Sequence, residues 1–426
     1  MKRILALLLC FCLCVSLIPA ASAEDPDEIF VLEDDWLEGD DDLIDVVDPE
    51  AVQPPAEPTS SDLIASGSCG LTEDDDLVWK LYSDGELRIV GTGEMADYHW
   101  FEDAPWKEYD DPEGDFRITR LTIGEGVTRI GYNAFSYMDA LTSAYLPASL
   151  EEISPGAFGS CHALSAFSVA SGNNSFCTVG GVLFNCSRTV LVLFPGGKLS
   201  LYNFEYTVPE GTVEIADGAF MGNQYLVRLN VPSTLRVFGE SAFEDCTRLQ
   251  DINLSYGVTE LPRYLFRNCE HLYGIYLPPT VTTIAYGAFE NCTRLSEIYL
   301  PENLQTLEVC AFIGSGLTYV EIPDRVTKLA TETFMNCPWL ETVVVGSGVT
   351  EVGDWVFDGC ESLERVIFKG HAPTFVNFEA GSPDKGSFCG ASFKALYPAE
   401  DRTWNSSMRS GDYGGNVTWE PYTDGL

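Results

Sequence analysis

Six cysteines stand three residues after a phenylalanine: Cys161, Cys246, Cys269, Cys292, Cys337 and Cys360 follow Phe158, Phe243, Phe266, Phe289, Phe334 and Phe357. A thiolate is a nucleophile and a soft metal ligand, so catalysis and metal binding are the first chemistries to test. The spacing argues against both. Ligands for one ion must converge on a point, whereas these residues recur at a steady interval, which predicts a row of small buried side chains spread along an axis. Cys177 and Cys186 are the exception. They flank the Gly180-Gly181 turn and make the better candidate for a structural disulfide.

The other catalytic constellations fare no better. Four histidines occur, His99, His162, His271 and His371, each in a different setting. His162 and His271 sit beside repeat cysteines as copies of one pattern, and no stretch supplies the base and orienting group that a catalytic thiolate needs. There is no Gly-x-Ser-x-Gly elbow and no Gly-rich loop with a phosphate-binding lysine. The 65 acidic residues leave a glycosidase pair open, but they fall mainly at repeat positions expected to face solvent. The chain therefore reads as non-catalytic, with no metal site and no cofactor.

What must position these residues is a repeat. Phe135, Phe158, Phe220, Phe243, Phe266, Phe289, Phe312, Phe334 and Phe357 mark it, mostly 23 residues apart. Each unit has three parts. Leu-x-x-Ile/Val-x-Leu/Ile, as in "LYGIYLP" from Leu272, predicts a short strand stopped by Pro. A "VTTI" step from Val281 is β-branched and strand-like. The third part, "GAFENC", is too short for a long helix and predicts a single helical or 3₁₀ turn. One unit cannot bury its own Leu, Ile and Phe, whereas stacked units place each row against its copy, so the fold class is a β-rich solenoid.

The interval from Phe158 to Phe220 breaks the rhythm. Its apolar runs, Val182 to Phe184 and Leu191 to Phe194, read as an inserted hairpin, either a functional projection or an enlarged coil spanning 170–212. Exposed strand edges would burden a projection, which favours the enlarged coil.

The start of the chain carries an address. Lys2 and Arg3, an apolar run from Ile4 to Ile18 and Ala21-Ser22-Ala23 form a secretory signal over 1–23, and the apolar run is short for a membrane anchor. Residues 24–65 are acidic and Pro-bearing, which predicts a disordered linker rather than a calcium loop. Residues 66–116 predict a β-hairpin cap around Ser83-Asp84-Gly85, with Trp79, Leu81, Leu87 and Ile89 on one face and Trp100 and Trp106 covering the open end of the array. Coils follow over 117–370 and a closing segment over 371–426.

Charge narrows the partners. A net charge of −41 opposes nucleic acid and anionic membrane surfaces and favours solubility outside a cell. No membrane span is expected, and a monomer is.

"VPSTLRVFGESAFEDCTRLQDINL" and "PPTVTTIAYGAFENCTRLSEIYLPENL" resemble the BspA-type leucine-rich repeats of secreted and surface proteins of gut and oral bacteria. The inserted "GGVLFN" to "YTVPEGTVEI" resembles a variant coil of such arrays, and "YPAEDRTWNSSMRSGDYGGNVTWEPY" resembles their closing segment. The likeness covers about 66–422. It implies fold and an extracellular or cell-surface location, and it implies adhesion to host matrix or other microbes without naming a ligand.

The recognition surface follows from the strand pattern. In Leu-x-x-Ile-x-Leu the third and fifth positions point outward, giving Ser143 and Tyr145, Arg228 and Asn230, Asp251 and Asn253, Gly274 and Tyr276, Glu297 and Tyr299, Tyr319 and Glu321. Tyr276, Tyr299 and Tyr319 should gather beside Glu297 and Glu321, with Tyr276, Tyr299 and Glu321 as the principal contacts. Tyrosine on a strand also serves packing alone. An extracellular protein or matrix component is the leading ligand. A glycan is the second, and a ligand-free structural spacer the third.

Overall fold

The computed structural model describes residues 55, 62–99, 103–110, 116–375, 386–411 and 413–423. The expected signal, nearly all of the linker and Trp100 lie outside these residues.

Each 23-residue step returns the chain to the same place in the next coil. Ile275 pairs with Ile298 and Tyr276 with Tyr299 in one parallel row of strands, while Glu260 pairs with Thr283 and Leu261 with Ile284 in a second. In the first row the Ile and Leu of the motif point inward and are buried, Leu300 only partly. Where a coil carries Pro after that strand, its carbonyl accepts a turn hydrogen bond, as from the Val281 N–H to Pro278 (3.0 Å) and from Leu304 N–H to Pro301 (2.9 Å). The missing Pro N–H ends the strand.

The third part of the coil refines the expectation of a helical turn. Residues two before and two after each repeat Phe adopt the left-handed conformation, for example Gly287 (φ 61°) and Asn291 (φ 58°) around Phe289, or Ser241 (φ 55°) and Asp245 (φ 60°) around Phe243. A helix cannot hold such residues, and Asn, Asp and Gly recur there because they tolerate this region best. Alternate N–H groups leave the coil altogether. Those of Gly287, Phe289 and Asn291 donate to the carbonyls of Val309 (3.2 Å), Ala311 (2.9 Å) and Ile313 (2.7 Å) in the next coil. The segment is thus a third ladder between coils. Among the described residues, helix is confined to Lys107–Tyr109 and Ser406–Arg409.

Inside, the repeat phenylalanines form a stack. Successive rings from Phe220 through Phe243, Phe266, Phe289, Phe312, Phe334 and Phe357 lie 5.2–6.0 Å apart and near parallel. Two further aromatics extend it: Phe194 at 4.7 Å from Phe220 and Phe388 at 6.2 Å from Phe357. The cysteine row runs beside the stack. Each of the six thiols donates to the carbonyl of the repeat Phe one coil earlier, as Cys269 to Phe243 (3.2 Å) and Cys292 to Phe266 (3.1 Å). A thiol there is small enough to be buried and polar enough to satisfy a buried carbonyl. Ser315 occupies the same place in its own coil, bonded to Cys337 at 3.3 Å.

At the N-terminal end, β1 (Leu63–Ser68), β2 (Val78–Tyr82) and β3 (Glu86–Val90) pair antiparallel, and β3 continues in parallel into Arg120–Ile123. Trp79 faces Ile89 and Leu81 faces Leu87, all buried. Leu63–Ser68 begins as a strand inside the segment expected to be linker, because its backbone finds partners along Val78–Tyr82. Trp106 is fully buried, stacks on Phe135 at 5.3 Å and donates its indole N–H to the Ala134 carbonyl (3.1 Å).

The long interval is an enlarged coil. Phe176–Val179, Val182–Asn185 and Val190–Leu193 pair antiparallel, and the last pairs in parallel with Glu214–Ile215, so the hairpin joins the second strand row instead of projecting. At the C-terminal end Ser392–Pro398 and Asn416–Tyr422 lengthen the first row, over a cluster of Phe375, Phe388, Trp404 and Trp419.

Candidate recognition surface

The first strand row has one face in the core and one in solvent, and alternation decides which side chain goes where. Ile275, Ile298 and Val320 point inward and are buried, leaving Tyr276, Tyr299 and Tyr319 outside at 56%, 69% and 46% exposure. Tyr276 stands directly opposite Tyr299. Tyr319 stands opposite Glu297, one column over. The three tyrosines therefore share one surface, as two columns and not a single line.

Two features of this surface escape a reading of one strand at a time. Tyr256 leaves the turn after its strand and is 67% exposed. The neighbouring Tyr256 hydroxyl raises the Tyr276 pKa above the ordinary tyrosine value. Its coil carries "NLSYGV" where others carry Pro, and that departure is the available cue. Glu321, expected to be a free contact, is occupied: it pairs with Lys369 and accepts from the Tyr319 hydroxyl at 3.3 Å. Glu297 is exposed beside Tyr319 and has no ion-pair partner among the described residues. At Gly274, between Asp251 and Glu297 in the outward column, a side chain would meet open space. The gap leaves the flank of Tyr276 uncovered.

Of the other outward positions, Ser143, Arg228 and Asn253 are exposed, while Asn230 and Asp251 are half-buried. Arg228 bridges Glu205 (3.4 Å) and Asp251 (3.2 Å). Tyr145 departs from the expectation. It is only 5% exposed, since burial of a strand face depends on what packs over it and not on alternation alone.

The disulfide candidate is also corrected. Cys177 and Cys186 are both free thiols, as are all eleven described cysteines. Register is the reason: Cys177 lies opposite Phe184, and the Cys186 N–H reaches the Ser175 carbonyl (3.1 Å), so the two thiols are diagonal and not face to face. Their sulfurs donate separately to the carbonyls of Asn185 (3.3 Å) and Asn173 (3.5 Å).

The histidines stay apart from the thiols. His271 bonds the Thr247 carbonyl at 2.8 Å, His371 meets Asp401 at 2.6 Å and His162 lies 3.7 Å from Asp139. Among the described residues no three His, Cys, Asp or Glu side chains gather in a way that would hold a metal ion. No helix among them is long and apolar enough to cross a membrane.

Residues 114–204, 197–317 and 259–377 match the BspA type leucine rich repeat region, in six copies. No curated protein matches the chain. Among solved structures, a leucine-rich repeat protein from Eubacterium ventriosum ATCC 27560 is 20% identical, covering 70% of this chain and 99% of its own, with a TM-score of 0.38. A leucine rich cell surface protein from Faecalibacterium prausnitzii A2-165 is 19% identical over 72% of this chain and 96% of its own, TM-score 0.35. The pneumococcal vaccine antigen PcpA is 16% identical over 83% and 99%, TM-score 0.35.

Proposed function

Since this chain belongs to the BspA-type leucine-rich repeat family, we propose that it is an exported, non-catalytic recognition protein that adheres to an extracellular protein or matrix component through the outer face of its first strand row. One observation carries this reading: Tyr256, Tyr276, Tyr299 and Tyr319, on four successive coils, are all exposed on a surface with a carboxylate, Glu297, that has no ion-pair partner among the described residues. Tyrosine offers a large contact area at little cost in side-chain entropy, and it is enriched where protein interfaces concentrate their binding energy. A rigid ladder of parallel strands holds the rings in place before the ligand arrives, which lowers the ordering cost of binding. Export rests on Lys2, Arg3 and the apolar run to Ile18.

The test is a surface-binding screen of the chain against matrix proteins. A Tyr256→Ala/Tyr276→Ala/Tyr299→Ala variant should lose the interaction that the screen identifies while keeping its unfolding midpoint, because none of the three rings is buried. A folded variant that binds as before would refute this face as the recognition surface. Capture on Tyr319 or Glu297 variants then maps how far the contact extends along the coils.

A further inference from the structure

A second surface, on the side of the turns, is built by the enlarged coil. In regular coils each turn donates to the next, as Asp245 N–H does to the Arg267 carbonyl (2.9 Å). The turn at Ser160 makes the same kind of bond to Met221 (3.3 Å), although 61 positions separate the two residues in sequence. The enlarged coil contributes Phe194 to the stack, and its Pro195–Lys198 turn packs against Cys161 and Ala163, leaving the Ser160 N–H to bond Met221. Gly222 lets the rows close, since a Cβ there would lie 2.1 Å from Ser160 Oγ.

Closing the rows creates a cleft of about 590 Å³, within the ~300–1,000 Å³ typical of small-ligand sites. Tyr137 forms one wall and is 60% exposed. Tyr264 and Arg267 form the other, with the guanidinium 5.0 Å above the Tyr264 ring. Asp245 and Glu244 line the cleft between them. Their charges, after partial burial, raise the Tyr137 phenol, although the turns at Ser160 and Met221 lie between.

We infer that this cleft binds a neutral saccharide of about disaccharide size. Both cations in the cleft are already neutralised: Arg267 by Glu244 (3.1 Å) and Glu290 (3.4 Å), Lys107 by Asp103 (3.7 Å). They are fixed donors beside fixed acceptors, the arrangement that vicinal hydroxyls satisfy because each hydroxyl donates and accepts at once. The exposed face of Tyr137 takes the apolar face of a sugar ring. A phosphate or sulfate ligand meets four carboxylates here, Asp103, Glu240, Glu244 and Asp245, against two paired cations.

Saturation-transfer NMR and calorimetry on the purified chain test this with lactose, maltose, cellobiose and diacetylchitobiose. Sialyllactose serves as the anionic control and a glucosamine dimer as the cationic one. At least one neutral disaccharide should bind, with an affinity insensitive to added salt. Tyr137→Asn and Asp245→Asn should each weaken that binding about tenfold or more. Asn suits the left-handed backbone at both positions (φ 59° and 60°), so unchanged unfolding midpoints are expected. Failure of every neutral sugar, binding of the glucosamine dimer alone, or undiminished binding by the folded variants would each overturn the inference. The strand-face tyrosines are not part of this site, so Tyr256, Tyr276 and Tyr299 variants should bind the sugar normally, and loss there would also overturn it.

Discussion

Phe289 and Phe312 lie parallel, their ring planes 1° apart and their centroids 5.2 Å apart, with Phe266 on the other side of Phe289 at 5.5 Å. Each ring is fully buried and is packed chiefly by copies of itself. Truncating Phe289 to Ala removes one layer of this column. A core Phe→Ala change typically costs about 3–5 kcal/mol, and a fall of that size in denaturant-derived stability is expected here. An unchanged midpoint would be incompatible with a stacked column.

The two classes of thiol should separate by reactivity. Cys246, Cys269 and Cys292 are buried, and burial pushes each thiol well above its ordinary pKa. Cys186 is exposed and Cys177 half-buried. Under native conditions a maleimide should label Cys186 first and leave the row untouched until the chain is unfolded. Mass spectrometry of the labelled peptides reads the order. Rapid native labelling of Cys269, or a disulfide joining it to Cys292, would contradict the hydrogen-bonded row.

Buried thiols also give stability an alkaline limit. Desolvation raises Cys161 from the ordinary thiol value of 9.0 to about 12. Between these values the unfolded chain has released a proton that the folded chain retains, so the folded state binds more protons and stability falls as pH rises. The contribution is full below pH 9.0 and is lost progressively toward pH 12. Urea titrations across this window should show a steeper decline for the wild type than for a Cys161→Ala variant. Equal slopes would remove Cys161 as a source.

Asn291 distinguishes a left-handed turn from a helix. In a helix Asn→Ala is stabilising, because Ala has the higher propensity. Here Asn291 sits at φ 58° and donates its amide to Asn268 Oδ1 (2.9 Å). Asn291→Ala should therefore destabilise, by about 1–2 kcal/mol for the backbone conformation alone. Asn291→Gly should cost less. Thermal melts of the two variants settle the order, and a stabilised Ala variant would restore the helical turn.

What the sequence by itself determined is everything that depends on one residue meeting its own copy. In a solenoid the period in sequence is the stacking vector in space, so the Phe column, the row of buried cysteines and the pairing of Tyr276 with Tyr299 are legible from a 23-residue spacing. The strand–turn hairpin of Trp79, Leu81, Leu87 and Ile89 is legible for a similar reason, because local alternation sets its face. Only the tertiary structure decided what unlike residues do across coils. Lys369 reaches Glu321 over 48 positions, Tyr145 is covered despite its outward register, and Cys177 and Cys186 fall diagonal in their hairpin. The turn-side cleft lies furthest from the sequence. It exists because the enlarged coil adds strands to the second row while the Ser160 turn bonds Met221 instead of a turn 22 positions on. Periodicity predicts contacts at the period, and this contact is made where the period fails.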